Sequence, residues 1–130
     1  MTPPSPPSSI EEIARDPAWL PHRYDPGQDA IHFLPVPRAT HRAATFLADD
    51  YLPKSVPPIV VRRAEAMAAG PVAAPLHFVF HSAFCLSTLL ARAFDRPGWA
   101  MGLKEPMILH DIVGWRRRGE KGPDMAAVLD

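Results

Sequence analysis

The chain has 130 residues, 47% of them hydrophobic and 22% charged, so it is long enough for one domain with a core and is not composed like a disordered chain. Its 14 basic and 14 acidic residues cancel, which excludes a global basic field for nucleic acid and makes any anion site a local one. The single cysteine excludes an intramolecular disulfide framework and a metal cluster of several cysteines, and it favours a cytoplasmic location.

The first nine residues are rich in Pro and Ser and have neither the basic region nor the apolar region of a secretory signal. We predict that residues 1–9 are a disordered tail. The closest approach to a membrane span, residues 72–80, is interrupted by Pro75 and His77 and is far shorter than the roughly 20 residues that a membrane helix needs. The sequence therefore predicts neither export nor a membrane partner.

Residues 10–70 are predicted to form a mostly helical extension. Ser9 is a candidate N-cap for a short helix that Pro17 should end. Residues 31–36 alternate partly between apolar and polar side chains, and we predict an edge strand there, because Pro35 cannot donate to a central ladder.

Two further helices are predicted in the same extension. Apolar side chains recur at helical spacing over residues 40–51. A second helix is predicted to start after Pro57 and Pro58, since proline suits a first turn, and to stop at Gly70. Both helices precede the first predicted buried strand, so we expect the extension to pack on the flank of a sheet.

Residues 76–94 are the most informative segment of the chain. The apolar run after Pro75 predicts a buried strand over residues 76–80, followed by a tight polar loop. A helix face follows at the spacing i, i+3, i+4, i+7, i+8, formed by Leu86, Leu89, Leu90, Ala93 and Phe94. Free amides and the positive end of the helix dipole would face the loop, so the layout predicts a phosphate- or sulfate-binding loop.

Residues 99–103 are predicted to be a second strand, so that strand, loop, helix and strand form a βαβ unit. A helix is predicted over residues 107–118, and another from Asp124. Parallel sheets normally have several strands covered on both faces, and the sequence predicts two. We therefore interpret residues 71–130 as the first part of a parallel α/β domain, truncated at its C-terminus.

The loop with Ser87-Thr88-Leu89-Leu90, followed by Lys104-Glu105-Pro106, resembles the N-terminal part of bacterial sulfotransferase-like proteins of the P-loop superfamily over residues 76–112. The resemblance implies a P-loop-type three-layer parallel sheet, here incomplete and preceded by the helical extension. It also implies transfer of a sulfuryl group from 3′-phosphoadenylyl sulfate to a hydroxyl or amine acceptor. Donor and acceptor would be small molecules, with no metal and no nucleic acid, and the oligomeric state stays open.

The family's loop pattern P-[KR]-S-G-[TS]-[TS] falls on residues 83–88 of this chain. Ser87 and Thr88 match the pattern, whereas Phe84 replaces its cation and Leu86 its glycine. The donor-binding residues implied by the resemblance are Ser82, Ala83, Phe84, Cys85, Leu86, Ser87 and Thr88.

Two further residues are candidates for catalysis. Glu105 follows the second predicted strand, where an acid serves as general base in some relatives. His81, when protonated, would replace the cation that the loop lacks and stabilise charge on the leaving group.

Each of these residues also has a structural interpretation. Ser87 is suited to N-capping its helix, His81 to hydrogen bonding at a strand end, and Glu105 to pairing with a neighbouring lysine. Cys85 is typical of a small buried side chain rather than of a nucleophile. A second class of function therefore stays open, a non-catalytic anion- or nucleotide-binding module with a degenerate P-loop, and the two changed loop residues favour it.

Overall fold

The computed structural model describes residues 7–70 and 74–119 of the chain. Within these residues the secondary structure consists of short strands and helices, and none of the helices is long and apolar enough to cross a membrane. In chain order the elements are α1 (Ile10–Arg15), β1 (Trp19–Asp25), β2 (Ala30–Pro35), α2 (Arg38–Ala43), β3 (Ile59–Arg62), α3 (Arg63–Ala68), α4 (Ser87–Phe94) and α5 (Met107–Arg117).

The three strands form one antiparallel sheet in the order β1, β2, β3. Residues 26–29 alone connect β1 to β2, which is too short for the crossover that parallel strands need. β2 pairs with β3 from Ala30 opposite Arg62 to Phe33 opposite Ile59. The prediction of a P-loop-type three-layer parallel sheet is therefore wrong for the described residues.

The expected helical extension at residues 10–70 contains this whole sheet, with α1, α2 and α3 beside it. Sequence reasoning missed β1, because Pro17, Pro21 and Pro26 are typical of a loop. Pro21 is tolerated there because β1 is an edge strand and its register shifts directly after this residue.

The predicted strand at residues 31–36 is confirmed, but it is the central strand and not an edge strand. Pro35 is the last residue of β2 and lies beyond the ladder with β3, so its missing amide costs that ladder nothing. The helix predicted over residues 40–51 is shorter, since α2 ends at Ala43.

The helix predicted between Pro58 and Gly70 begins as a strand. The β-branched side chains of Ile59, Val60 and Val61 form β3, and the helical part is limited to α3. Val61 is buried and Val60 half-exposed, which is the alternation of a strand that covers one face of a core.

The predicted βαβ unit is not present in the described residues. Residues 76–80 pair with no described strand, and Phe80 is 93% exposed, so the predicted buried strand is wrong. The second strand, at residues 99–103, is reduced to a single bridge between Arg96 and Ala100. The predicted tail lies in large part, and the helix from Asp124 entirely, outside the described residues.

Three predicted helices are confirmed. Ser9 caps α1, its Oγ accepting from the amide of Glu12 at 3.2 Å, and the helix ends before Pro17. α4 and α5 begin at Ser87 and Met107, as the apolar spacing predicts.

Two apolar clusters lie on opposite faces of the sheet, because neighbouring strand residues point to opposite sides. The first packs the sheet against α1, α3 and α5, and its members are Ile13, Trp19, Tyr24, Ile31, Phe33, Val61, Ala66, Ile112 and Trp115. The second packs it against the chain that follows α2, and its members are Leu20, Leu34, Val36, Ala44, Leu47 and Leu52.

A polar clamp fixes α5 to β1 beside the first cluster. Asp111 accepts from Nε and Nη2 of Arg23 at 2.7 and 2.9 Å, and from the amide of Tyr24 at 3.1 Å. The ring of Tyr24 packs on Trp115 with centroids 5.8 Å apart. A bidentate ion pair of this kind fixes orientation as well as distance, so the clamp sets the angle at which α5 crosses the sheet.

Candidate functional site

The candidate site consists of the loop at residues 81–86 and the first turn of α4. Leu86 is the N-cap residue of α4, and its side chain makes no capping hydrogen bond. Helix N-termini carry amides without intrahelical partners and the positive end of the dipole. The first turn of α4, which contains Ser87 and Thr88, is therefore able to accept an anion.

The backbone of this loop takes left-handed conformations at residues that are not glycine. Phe84 has φ 58° and Leu86 φ 63°, and Leu86 is followed directly by helical Ser87. A left-handed residue next to a right-handed one turns successive amides towards one side and forms an anion-binding concavity. Leu86 stands where the sulfotransferase pattern has glycine, and its conformation is the one that glycine favours.

Glu105 lies at the site, and backbone hydrogen bonds fix the segment that contains it. The amide of Leu47 donates to the carbonyl of Lys104 at 2.8 Å, and the amide of Met107 donates to the carbonyl of Leu47 at 3.1 Å. Gly102 lies so close to the backbone of α4 that a Cβ atom there would collide with it. Glu105 itself has φ 47°, a strained conformation that the flanking contacts maintain.

His81 connects the loop to Glu105. Its Nδ1 lies 3.1 Å from Oγ of Ser87 and 3.1 Å from the carbonyl oxygen of Ser82, and its Nε2 lies 3.6 Å from Oε1 of Glu105. Protonated imidazole donates from both nitrogens, which suits the carbonyl and the carboxylate. Neutral imidazole with its proton on Nε2 would instead accept the hydroxyl proton of Ser87 at Nδ1.

The pKa values in this cluster favour an imidazolium beside a thiol that ionises readily. The Ser82 carbonyl raises the pKa of His81, against some desolvation, and Cys85 and Glu105 raise it further. Desolvation raises the pKa of Cys85, but hydrogen bonds from the Ser87 amide and hydroxyl and from His81 outweigh it and lower that pKa. Protonation of His81 would therefore place a cation close to Ser87, which Phe84 does not supply.

The structure brings together His81, Cys85, Ser87 and Glu105 among the residues singled out in the sequence. Cys85 is exposed, so its interpretation as a small buried side chain is wrong. Ser82 contributes its carbonyl, and Thr88 lies one residue inside α4. Phe84 is fully exposed and Leu86 largely so, which leaves their backbone amides, and not their side chains, as the groups able to hold a ligand.

Lys104, the neighbour of Glu105, has a structural role that sequence reasoning missed. Its buried Nζ donates to the carbonyls of His41 and Arg42, each at 3.0 Å, and to that of Ala44. These carbonyls belong to the C-terminal end of α2, where a cation satisfies acceptors that the helix cannot. The expected charge pair between Lys104 and Glu105 is replaced by these contacts and by the His81 contact.

No group of three His, Cys, Asp or Glu side chains able to hold a metal ion occurs within residues 7–70 and 74–119. Comparisons with protein-family models, with curated proteins and with solved structures gave no match. The case for a function therefore depends on the chemistry of the loop itself.

Proposed function

We propose that the chain is sulfotransferase-like, and that the loop at residues 81–88 binds the phosphosulfate group of 3′-phosphoadenylyl sulfate. The observation that carries the proposal is the left-handed entry to α4 with His81 and Ser87 in contact beside it. The amides of the first turn of α4, a hydroxyl and an imidazolium are groups that sulfate and phosphate oxygens accept from. The anion would thus be held by backbone amides, by the hydroxyls of Ser87 and Thr88 and by one side-chain cation.

The proposed reaction moves the sulfuryl group from the donor's bridging oxygen to an acceptor hydroxyl or amine. A new bond to sulfur forms, the bond from sulfur to the bridging oxygen breaks, and 3′-phosphoadenosine 5′-phosphate leaves. Glu105 takes the acceptor's proton as general base, and His81 stabilises charge on the leaving oxygen. Both side chains are partly exposed, which leaves them accessible to substrates.

A second candidate is a non-catalytic module that binds an anion or a nucleotide through the same amides. The observation that favours it is the exposed Phe84 side chain at the position of the family's cation. For either candidate we propose a cytoplasmic location, because a free, exposed cysteine with a lowered pKa stays reduced there.

Ligand-dependent thermal shifts test donor binding. A ligand that binds only the folded protein raises its melting temperature, so 3′-phosphoadenosine 5′-phosphate should raise it and ATP with Mg²⁺ should not. The double variant Ser87→Ala with Thr88→Ala should lose the shift. The matched control, Thr45→Ala with Ser55→Ala, removes two exposed hydroxyls elsewhere and should keep it.

Glu105→Gln separates the two candidates. For a sulfotransferase this variant keeps the thermal shift but loses release of 3′-phosphoadenosine 5′-phosphate from the donor in the presence of hydroxyl and amine acceptors. Binding without such release in the unaltered chain would support the non-catalytic module. Absence of any thermal shift in the folded chain would contradict both.

A further inference from the structure

The last turn of α2 carries a fully buried histidine, His41. The amide of this residue donates to the carbonyl of Pro37 at 2.9 Å, and its carbonyl accepts from Nζ of Lys104 at 3.0 Å. The imidazole differs from the backbone, because neither Nδ1 nor Nε2 has a hydrogen-bond partner among the described residues. Buried polar atoms in folded proteins are normally paired, so the burial of this ring needs an explanation.

The charged groups that act on the ring come from three parts of the chain. Lys104, from the segment before α5, and Arg38, one turn earlier on α2, both oppose a positive charge on the ring. Asp95, which follows α4, favours such a charge. This buried carboxylate is already paired with Arg38, and its Oδ2 lies 4.0 Å from Nε of Arg42. Cations therefore outnumber carboxylates around His41.

Burial keeps the imidazole of His41 neutral in the folded chain at neutral pH. Loss of hydration, followed by the charge of Lys104, lowers the pKa of His41 from its ordinary value of 6.5. The unfolded chain has the ordinary pKa, so below pH 6.5 it binds a proton that the folded chain excludes. The stability that depends on a neutral ring is complete above this pH and is lost as the pH falls towards the folded pKa.

Lys104 connects this end of α2 to the segment that contains Glu105. Its Nζ donates to three carbonyls at the C-terminal end of α2, and its own carbonyl accepts from the amide of Leu47 at 2.8 Å. Arg92 of α4 brings a second cation to the same end, with its Nη2 3.4 Å from a carbonyl of α2. A movement of α2 that brings the ring of His41 to water also moves a carbonyl that Lys104 binds, because ring and carbonyl belong to one residue.

We propose that His41 is an acid-sensitive switch, whose protonation separates the end of α2 from Lys104 and releases the segment that contains Glu105. In the closed position the imidazolium would have two N–H donors without an acceptor among the described residues, and it would add a cation beside the Lys104 ammonium. Both costs end when the ring reaches water. The switch does not depend on what the loop at residues 81–88 binds, so it can be tested without a ligand.

A histidine-selective NMR titration of the full chain is the first test. The ring resonances of His41 should change with a midpoint below pH 6.5, because the folded chain resists protonation of this ring. This measurement uses the unaltered protein, so it does not depend on whether any variant folds.

Amide hydrogen exchange locates the opening. The amides of Leu47 and Met107 donate to the carbonyls of Lys104 and Leu47, so both report on the segment that the switch releases. From about pH 7 to about pH 5 their protection factors should fall, by at most about tenfold per pH unit, which is the limit for one proton. The amide of Arg63, which donates to the carbonyl of Asp29 at 2.9 Å beside the sheet, should keep its protection.

His41→Leu removes the titrating group and keeps a buried side chain of similar size. The variant should fold, because the ring makes no hydrogen bond to the described residues that leucine would lose. The acid-dependent fall in protection at Leu47 and Met107 should be absent from it. The control is His110→Leu, since His110 is exposed on α5 and its replacement should leave that fall unchanged.

Four results would overturn the proposal. The first two are titration of His41 at or above pH 6.5 and protection of the Leu47 and Met107 amides that does not change with pH. The third is the same acid response in His41→Leu as in the unaltered chain. The fourth is an equal fall in protection at Arg63, which would mean that acid unfolds the whole chain instead of releasing one segment.

Discussion

Lys104 is the clearest case of a single side chain that stabilises the fold. Its ammonium group is buried among three carbonyls at the end of α2, which lose their partner when the group is removed. We expect Lys104→Met to lower the free energy of unfolding by about 2–4 kcal/mol, measured by urea denaturation. Lys54→Met is the matched control, because the Lys54 side chain is 74% exposed and its removal should change stability by less than about 0.5 kcal/mol. Equal effects of the two variants would contradict this role of Lys104.

The two tyrosines of the chain differ in burial and should differ in their response to alkaline pH. Burial, and a hydrogen bond to Asp29 at 2.8 Å, raise the pKa of Tyr24 to about 12 from an ordinary value of 10.0. The folded pKa lies above the unfolded one, so the stabilisation is complete below pH 10 and is lost as the pH rises towards 12. We expect a loss of roughly 2–3 kcal/mol across this window.

Chemical denaturation of Tyr24→Phe at several pH values checks this expectation. The variant should lose most of the pH dependence between 10 and 12 that the unaltered chain has. Tyr51→Phe should keep it, since Tyr51 is half-exposed. If the free energy of unfolding depended on pH between 10 and 12 to the same extent in all three proteins, Tyr24 would not be the source of that dependence.

Single residues were predictable from the sequence where their effect is local. Ser9 was identified as an N-cap because Ser before an acidic first turn has a preference that needs no tertiary information. The role of Lys104 depends on carbonyls some 60 residues earlier in the chain, and no local pattern indicates that contact. The pairing of His81 with Glu105 was not predicted for the same reason, although both residues were singled out.

α5 is the helix whose attachment to the sheet is best defined. Ile112 is fully buried in the first apolar cluster, whereas Val113, one residue later, is half-exposed. Ile112→Ala should lower the free energy of unfolding by about 2–5 kcal/mol, because it leaves a cavity in the core. Val113→Ala, measured in the same urea titration, should change it by less than about 0.5 kcal/mol. A similar cost for both would contradict the observed orientation of α5.

Among the elements, α1, α4 and α5 were predicted because an apolar spacing or a cap within a few residues defines a helix. The strands were harder to predict from the sequence. In β1 the bulge at His22 and the proline beside it interrupt the alternation on which a strand prediction depends. In β3 four residues are too few to separate a strand from the first turn of a helix. At residues 76–80 the apolar pattern is that of a buried strand, but no described strand lies beside it.

At the scale of the whole molecule, large apolar side chains are concentrated on the exposed surface of residues 76–103. The most exposed of them are Phe80, Phe84, Leu86 and Trp99. Contiguous apolar surface in water promotes association, so we expect sedimentation velocity to show self-association that grows with protein concentration. Phe78→Ser with Phe80→Ser should reduce it and leave the free energy of unfolding within about 0.5 kcal/mol.

Val60→Ser provides the comparison, because Val60 is half-exposed outside this surface and should leave the association unchanged. A chain that sediments as a monomer at every concentration would contradict the expectation. A large loss of stability in the double Phe variant would mean that these side chains are buried in solution.

The topology was the least predictable feature of the molecule. Composition predicted one domain with a core, and two clusters of buried side chains are present in the described residues. The order and direction of the strands depend on pairings between distant residues, which a single sequence does not reveal. The short connection at residues 26–29 is the available signal for antiparallel strands, but the prolines in and beside β1 are typical of a loop and conceal the first of the two strands.

Cys85 gives the chain a practical property. It is the single cysteine in the sequence, it is exposed, and its lowered pKa increases the thiolate that reacts with labelling reagents. A maleimide fluorophore would therefore attach at one known position beside the amides of α4, without any engineered substitution. The labelled protein could be studied at nanomolar concentration, where the expected self-association would be weakest and a change in emission would report the proposed anion directly.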